Sequence, residues 1–133
     1  MSQVSIRSFR IHDFDTIQEM NKQEGWTQLI DNSEETLQAW INSEPALVLL
    51  MDQEIIGYLR GITDGAVTLY ITELLIREDY RKQGFAQQLI EKAHSCYPST
   101  RVEMLATNSS EGYYTSKGFR PFHGFRKAAE EFA

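Results

Sequence analysis

The sequence predicts an α/β fold, with a mixed, mostly antiparallel sheet of about six strands flanked by helices. Two observations indicate it: the apolar period changes from helical to extended near residue 46, and a strand–helix–strand pattern spans residues 67–106. Such a pattern places its two strands parallel, joined by a right-handed crossover. Because no repeat or linker interrupts the chain, we expect one domain over residues 1–133.

The amino-terminal part supplies one strand and two helices. Residues 5–11 space their apolar side chains as a strand does. Asp13 can cap a helix that ends near Gly25, and a second helix begins at Ser33 with acidic residues in its first turn. The apolar stripe of this second helix consists of Leu37, Trp40 and Ile41.

Three consecutive antiparallel strands are predicted over residues 46–51, 55–62 and 67–76. Asp64 and Gly65 separate the last two, and this pair favours a tight hairpin turn with positive φ at both central positions.

The carboxyl-terminal part alternates helices and strands. A helical period resumes at Gly84, and a strand follows over residues 101–106. Ser109 or Ser110 can cap a short helix. A last strand over residues 119–122 would close the sheet.

Composition restricts the class of protein. The 133 residues are 41% apolar and 24% charged, which is ordinary for a globular domain. A single cysteine, Cys96, excludes an internal disulfide and a cysteine-based zinc cluster. No apolar run approaches the roughly 20 residues of a membrane span, and the first residues lack the apolar core of a signal peptide. We therefore expect a cytoplasmic protein that does not associate with membranes.

Charge is unevenly distributed along the chain. Residues 1–76 contain 4 basic and 12 acidic side chains, a net charge of −8, whereas residues 77–133 contain 9 and 7, a net charge of +2. A nucleic-acid partner is disfavoured, because phosphate binding requires clustered Lys and Arg. The division suggests an anion site in the carboxyl-terminal half and a cation site in the other, although two solvated faces would account for it equally well.

The most informative segment is residues 73–86, where an apolar strand leads into a charged turn and a helix begins at Gly84. Unpaired N–H groups at a helix start form an anion site, and Gly84 and Ala86 would let a phosphate approach them. Arg81 and Lys82 add positive charge. An ordinary strand-to-helix turn with a glycine cap fits the spacing equally well. The glycine fingerprints of dinucleotide and nucleoside-triphosphate sites do not occur.

Two motifs resemble those of the GNAT N-acetyltransferase superfamily. The Arg81-x-x-Gly84-x-Ala86 segment resembles the family's [QR]-x-x-G-x-[GA], which binds the pyrophosphate of acetyl-CoA. Downstream, the segment from Tyr114 to Phe119 resembles the family's Y-x-x-x-G-F. The predicted element order is also similar, so the resemblance covers nearly the whole chain. It implies acetyl-CoA as co-substrate and no metal.

The resemblance also implies roles for particular residues. The strand that ends at Ile76 and the next parallel strand would splay apart, and the pantetheine arm would pair with the exposed backbone like an added strand. Thr107 is an alternative to Asn108 for a polar contact to that arm. The cofactor-binding residues expected on this basis are Leu74, Ile76, Arg81, Lys82, Gln83, Gly84, Phe85, Ala86 and Asn108.

Two catalytic residues are expected. Tyr114 matches the family's general acid, and its hydroxyl can protonate a leaving thiolate because a free tyrosine has a pKa of about 10. Tyr113 would point elsewhere, since consecutive helical side chains diverge by about 100°. Glu73 belongs to an uninterrupted alternating series whose other members, Val67, Leu69, Ile71 and Leu75, are apolar, and family members often place a base on this strand. An inter-strand salt bridge, or a bulge that turns Glu73 outward, explains it equally well.

The leading function is therefore direct transfer of acetyl from acetyl-CoA to an amine, with both substrates bound together. Acidic and aromatic residues near positions 24–34 suggest a cationic acceptor such as a polyamine, an aminoglycoside or a lysine-like group. The alternative is a non-catalytic module that binds acetyl-CoA as a sensor or subunit. The last strand is either brief or completed by a partner chain, and in the second case the protein would be a homodimer. The acidic and aromatic residues that suggest a cationic acceptor are Glu24, Trp26, Asp31 and Glu34.

Overall fold

The computed structural model describes residues 3–132, and the chain forms two compact units that meet between Glu103 and Met104. Each unit is described by itself, and the single domain expected over residues 1–133 stays a prediction. The elements are β1 (Val4–Ser8), α1 (Phe14–Glu24), α2 (Thr27–Asp31), α3 (Ser33–Asn42), β2 (Ala46–Met51), β3 (Glu54–Thr63), β4 (Thr68–Ile76), α4 (Phe85–Ser95), β5 (Arg101–Met104) and α5 (Asn108–Ser116).

The predicted α/β class is confirmed. The strands form one mixed sheet in the order β1-β2-β3-β4-β5, in which neighbours are antiparallel except for the parallel pair β4 and β5. The described residues form five strands, not about six, because residues 119–122 are irregular. Pro121 cannot donate to a strand ladder. The Phe119 N–H donates instead to the Tyr114 carbonyl at 3.1 Å, which closes the end of α5.

Helices cover both faces of the sheet. Tyr58 lies opposite Leu75, and both belong to the core that packs against α1 and α3. The neighbouring pair, Gly57 and Ile76, faces the other way. A Cβ at Gly57 would lie 2.7 Å from Ile76 Cδ1 and 3.7 Å from Leu89 Cδ1, so α4 packs closely here. We call the two sides the α1/α3 face and the α4 face.

The loop between β3 and β4 differs in part from the tight two-residue turn that was expected. Residues 64–67 form a longer loop, and only Gly65 of the two expected turn residues has a positive φ, at 78°. The Asp64 carboxylate accepts N–H bonds from Ala66, Val67 and Thr68, which lower its pKa to about 2. This carboxylate therefore organises the loop.

Two helix features also differ from expectation. The short helix α2 was not predicted, because five residues carry too little of a helical period to detect. Helix α5 is capped by Thr107, which forms a capping box with Ser110, whereas Ser109 or Ser110 was expected to cap it.

Asp13 anchors β1 to the start of α1. It precedes α1 as predicted, but its carboxylate does not cap the helix. Instead it accepts bonds from the Arg7 guanidinium at 2.8 and 2.9 Å and from the Arg10 N–H at 2.8 Å. Burial opposes ionisation, but these bonds outweigh it and hold the pKa of Asp13 below its ordinary value. The stabilisation is thus present above the unfolded-state pKa of about 4 and disappears as the pH falls through the folded-state pKa.

We expect Asp13→Ala to lower the free energy of unfolding at pH 7 by about 2 kcal/mol, because Arg7 loses its partner in a half-buried site. The difference from the wild type is expected to shrink as the pH falls below about 4. Urea unfolding at several pH values measures both effects. Asp15→Ala, at an exposed acidic residue of the same helix, is the control and is expected to have little effect. Equal stability of Asp13→Ala and wild type at pH 7 would contradict this prediction.

Candidate active site

Helix α4 begins without a side-chain cap. Its N-cap residue, Gly84, has a φ of 83° and a ψ of 8°, a left-handed conformation that favours glycine. A Cβ built on Gly84 would meet no atom within 4 Å. The Gln88 N–H donates to the Gly84 carbonyl at 3.1 Å, so the N–H groups before it have no partner within the helix. These groups can bind an anion at an open surface.

The residues that flank Gly84 present backbone as well as side chains. Phe85 is buried, so its backbone rather than its ring is available at the helix start. Ala86 is half-buried, and its small side chain leaves the first turn accessible. Lys82 and Gln83 are exposed, and Lys82 has a positive φ of 65°. The cluster predicted from residues 82–86 is therefore brought together.

The Arg81 side chain contacts both the end of β4 and α1. Its Nε donates to the Ile76 carbonyl at 2.8 Å, and its Nη2 lies 2.6 Å from Glu24 Oε1. Arg81 therefore ties the turn to the end of β4 and to α1, in addition to the charge that the sequence analysis assigned to it. A small cavity of about 50 Å³ lies beside this contact, lined in part by Met20, Leu75 and Arg81.

The carboxyl end of β4 extends beyond its parallel neighbour. The Arg101 N–H donates to the Val67 carbonyl at 2.9 Å, so β5 starts beside the beginning of β4. With only four residues, β5 cannot extend to Leu74 and Ile76, which lie seven and nine residues beyond Val67. The structure thus places both residues beyond the reach of β5, as a strand-like ligand contact requires.

A β-bulge in β4 determines where Glu73 points. Arg60 lies opposite Glu73, whereas the next residue of β3, Gly61, lies opposite Ile71, so Thr72 is the extra residue. Because Arg60 follows Tyr58 by two residues, Glu73 lies on the α1/α3 face, and Ile71 lies on the other. The uninterrupted alternation that the sequence analysis assumed for this strand is therefore wrong. Of the two structural alternatives, the inter-strand salt bridge is observed; a bulge is present too, but it turns Glu73 toward the helix-covered α1/α3 face and not outward to solvent.

Glu73 forms that salt bridge with Arg60. Arg60 Nε and Nη2 donate to its two oxygens at 2.6 and 2.8 Å, and Arg60 Nη1 donates to Ser43 Oγ at 3.0 Å. Such a bidentate pair fixes both side chains. Glu73 keeps 18% of its side chain exposed, so one edge of the carboxylate can reach solvent.

Tyr114 belongs to the second unit and lies on α5. Its half-buried ring packs edge-on against Tyr113 and Phe119, with ring centroids 5.2 and 5.6 Å away. Burial, and then the neighbouring Tyr113, raise the pKa of Tyr114 above its ordinary value, so the phenol is protonated at neutral pH. Asn108 is the first residue of α5, and its side chain lies outside the described part of the structure. The alternative, Thr107, uses its hydroxyl within the capping box.

The residues expected to attract a cationic acceptor divide into two groups. Glu24 is paired with Arg81, and Trp26 packs against the core. Asp31 and Glu34 are exposed, on α2 and at the start of α3. Sequence reasoning missed Arg60, which pairs with Glu73, and the buried Tyr58. The signal available for them was a basic residue and a tyrosine within the apolar strand β3.

A second groove, larger than the cavity beside Arg81, has a volume of about 500 Å³. It lies at the end of β1 and the start of β2, and Cys96 is among its lining residues. It contains none of the predicted site residues. Among residues 3–132 no helix is long and apolar enough to cross a membrane. Within the same residues, no three His, Cys, Asp or Glu side chains form a metal-binding group.

Comparison with known proteins agrees with this geometry. Residues 13–130 match the family model described as the acetyltransferase (GNAT) domain. A GNAT-family acetyltransferase from Streptococcus pneumoniae is similar in fold, with a TM-score of 0.79 at 19% identity over 98% of this chain and 100% of the other. A GCN5-related N-acetyltransferase from Ralstonia eutropha gives 0.73 at 13% identity, over 96% and 99%.

A third similar structure was determined with a ligand. PaiA N-acetyltransferase from Thermoplasma acidophilum, in complex with coenzyme A, gives a TM-score of 0.69 at 16% identity over 87% of this chain and 88% of the other. No curated protein sequence matches this chain. Because the family model covers most of the chain, the protein belongs to the GNAT acetyltransferase family.

Proposed function

We propose that this protein transfers acetyl from acetyl-CoA directly to the amine of a small cationic acceptor, with both substrates bound together. The observation that carries the proposal is the uncapped start of α4 at Gly84, beside the overhanging end of β4. The coenzyme A complex of the similar Thermoplasma protein supports the choice of cofactor. The family membership supports acetyl transfer as the reaction.

The cofactor would lie along the end of β4. Backbone groups of Leu74 and Ile76 would pair with the pantetheine arm, because β5 is too short to reach them. The pyrophosphate would accept N–H bonds at Gly84 and the first turn of α4, with Lys82 adding charge. Asn108, or alternatively Thr107, would contact the arm.

Tyr114 and Glu73 would move the protons of the reaction. The amine must lose a proton before it attacks the thioester, and Glu73 would accept that proton directly or through water. The attack forms a tetrahedral oxyanion, which N–H groups on β4 would stabilise. Its collapse breaks the carbon–sulfur bond, and Tyr114 would protonate the departing thiolate, whose thiol has a pKa of about 8.5.

The acceptor would bind on the α1/α3 face under the segment between α1 and α3. Glu73 opens to this face, and Glu24, Asp31 and Glu34 lie on or beside the segment. Because Glu73 and Glu24 are paired with arginines, the exposed carboxylates of Asp31 and Glu34 are the ones that would favour a cation over an anion or a neutral molecule. These carboxylates belong to residues 1–76, which carry a net charge of −8.

A thiol-release assay with acetyl-CoA and a panel of amines tests the function. We expect polyamines, aminoglycosides or lysine analogues to release thiol fastest. Glu73→Gln is expected to lower kcat/KM for the amine by about 100-fold, without weakening the binding of CoA.

Arg60→Gln is the control for the salt bridge, because it breaks the same pair and keeps the carboxylate. Both variants are expected to lower the free energy of unfolding by about 2 kcal/mol. Equal losses of kcat/KM in the two variants would show that the pair is structural and that Glu73 is not the base. A preference for acidic or neutral acceptors would contradict the proposed acceptor class.

The second candidate is a non-catalytic module that binds acetyl-CoA. The bidentate Arg60–Glu73 pair favours it, because both carboxylate oxygens already accept hydrogen bonds from the guanidinium, as in a purely structural pair. CoA binding without thiol release for any amine in the panel would support this function.

A further inference from the structure

A chain of hydrogen bonds, buried at the sheet and part-buried farther along, connects the sheet to the segment between α1 and α3. The Tyr58 hydroxyl of β3 donates to Asn21 Oδ1, and Asn21 Nδ2 donates to Gln18 Oε1 at 2.8 Å. Gln18 Nε2 then donates to the Leu29 carbonyl of α2 at 2.9 Å. We call this set of four residues the Tyr58–Leu29 chain.

The sheet end of the chain is rigid. Tyr58 is fully buried, and its ring packs edge-on against Trp40 with centroids 5.1 Å apart. Burial, and then the charge of Glu73, raise the pKa of Tyr58 well above its ordinary value, so its hydroxyl stays protonated. The hydroxyl therefore donates, and each following amide is oriented in one sense with its donor and acceptor matched.

The other end of the Tyr58–Leu29 chain contacts α2, a short helix that contributes no buried residue to the core. Helix α2 has five residues, none of which is buried, and a helix this short is not stable by itself. Its Leu29 carbonyl accepts the bond from Gln18 and a second one, at 2.8 Å, from Thr36 Oγ1 of α3. Together with Trp26, which packs on the core and whose N–H donates to the Asn21 carbonyl at 2.9 Å, these bonds connect α2 to α1 and α3.

The Tyr58–Leu29 chain lies on the side of the sheet proposed for the acceptor. Tyr58 and Glu73 lie on the same face of the sheet, and α2 belongs to the segment under which the acceptor would bind. The chain lies on the side away from α4, whose start would hold the cofactor. We therefore expect a change in the Tyr58–Leu29 chain to affect acceptor binding more than cofactor binding.

We propose that Tyr58, Asn21 and Gln18 are positioning residues that order α2 for binding of the acceptor amine. The part that concerns the amine rests on the proposed function. The ordering of α2 does not, because it concerns the protein without substrates.

Hydrogen–deuterium exchange on the full chain tests the ordering. In Gln18→Leu, the amides of residues 27–32 are expected to exchange about tenfold faster, because one of the two bonds to the Leu29 carbonyl is lost. Amides of α4 are expected to exchange at the wild-type rate. Tyr58→Phe keeps the buried ring and is the second variant if Gln18→Leu does not fold. It is expected to accelerate the exchange of the amides of residues 27–32 as well. The matched control is Gln38→Leu, on the exposed side of α3.

Steady-state kinetics test the consequence. In Gln18→Leu and Tyr58→Phe, KM for the amine is expected to rise about tenfold, whereas kcat and the Kd of CoA change less than about twofold. Wild-type exchange of residues 27–32 in a folded Gln18→Leu protein would overturn the proposal. Faster exchange with an unchanged KM would overturn the role in acceptor binding. If no amine is acetylated, the proposed function fails, and the exchange rates still decide whether the chain orders α2.

Discussion

Tyr114→Phe is expected to lower kcat by about 100-fold, because the variant has no hydroxyl to protonate the departing thiolate. The phenylalanine ring preserves the edge-on contacts with Tyr113 and Phe119, so the fold of α5 is expected to remain. KM for acetyl-CoA is expected to change less than about threefold, since the hydroxyl acts in the transition state. Thiol release under saturating substrates measures kcat.

The chain offers a matched control for this variant in the adjacent tyrosine. Tyr113→Phe also removes one phenolic hydroxyl from α5, and its ring is more exposed than that of Tyr114. It is expected to retain kcat within about threefold. Equal effects of the two substitutions would contradict the assignment of Tyr114 as the general acid. An unchanged kcat in Tyr114→Phe would mean that water or another group protonates the thiolate.

Gly84→Ala is expected to weaken CoA binding by about tenfold to 100-fold. The added methyl group would point into the open space at the start of α4, where the pyrophosphate would approach the N–H groups. Losing one hydrogen bond to a charged group costs about 1.5 to 3 kcal/mol, which corresponds to this range. Calorimetric titration with CoA measures the Kd.

Backbone strain must be separated from this loss of contact, and Gly25 provides the control. It ends α1 with a φ of 85°, close to the 83° of Gly84, and a Cβ there would likewise meet no atom within 4 Å. Gly25→Ala and Gly84→Ala are each expected to lower the free energy of unfolding by about 1 kcal/mol. Only Gly84→Ala is expected to weaken CoA binding. CoA affinity within twofold of the wild type in Gly84→Ala would remove the basis of the proposed cofactor site.

Together these variants separate the two substrates and the chemistry. Gly84 tests the cofactor, Gln18 tests the ordering of the acceptor side, and Tyr114 tests a chemical step. The distribution of charge agrees with that division, since Asp31 and Glu34 are exposed on the side proposed for the acceptor and the start of α4 has no side-chain cap.

Sequence reasoning succeeded where the information was local. The helix from Phe14 to Glu24 and the one from Phe85 to Ser95 follow from their apolar period and from Gly25 and Gly84 at their ends. The central strands follow from continuous apolar runs, which agree with burial on both faces of the sheet. The glycine motif at residue 84 was found for the same reason, because its spacing is contained within a few residues.

The expectations failed where hydrogen bonds selected among conformations that the same short pattern allows. Asp64 organises a longer loop through three N–H bonds, which prevents the two-residue turn. Pro121 and the bond from Phe119 to Tyr114 remove the sixth strand. In each case a local pattern fitted more than one conformation, and hydrogen bonding selected among them.

The order of elements, the α/β class and the family motifs were determined by the sequence by itself, because they depend on periodicity and spacing along the chain. Only the tertiary structure decided that Glu73 shares a face with Tyr58, that Arg60 pairs with Glu73, and that the Leu29 carbonyl of α2 accepts bonds from α1 and α3. A single extra residue in β4 reverses the alternation of its side chains. The sheet register that produces this bulge depends on pairing with β3, so no periodicity within β4 could reveal it.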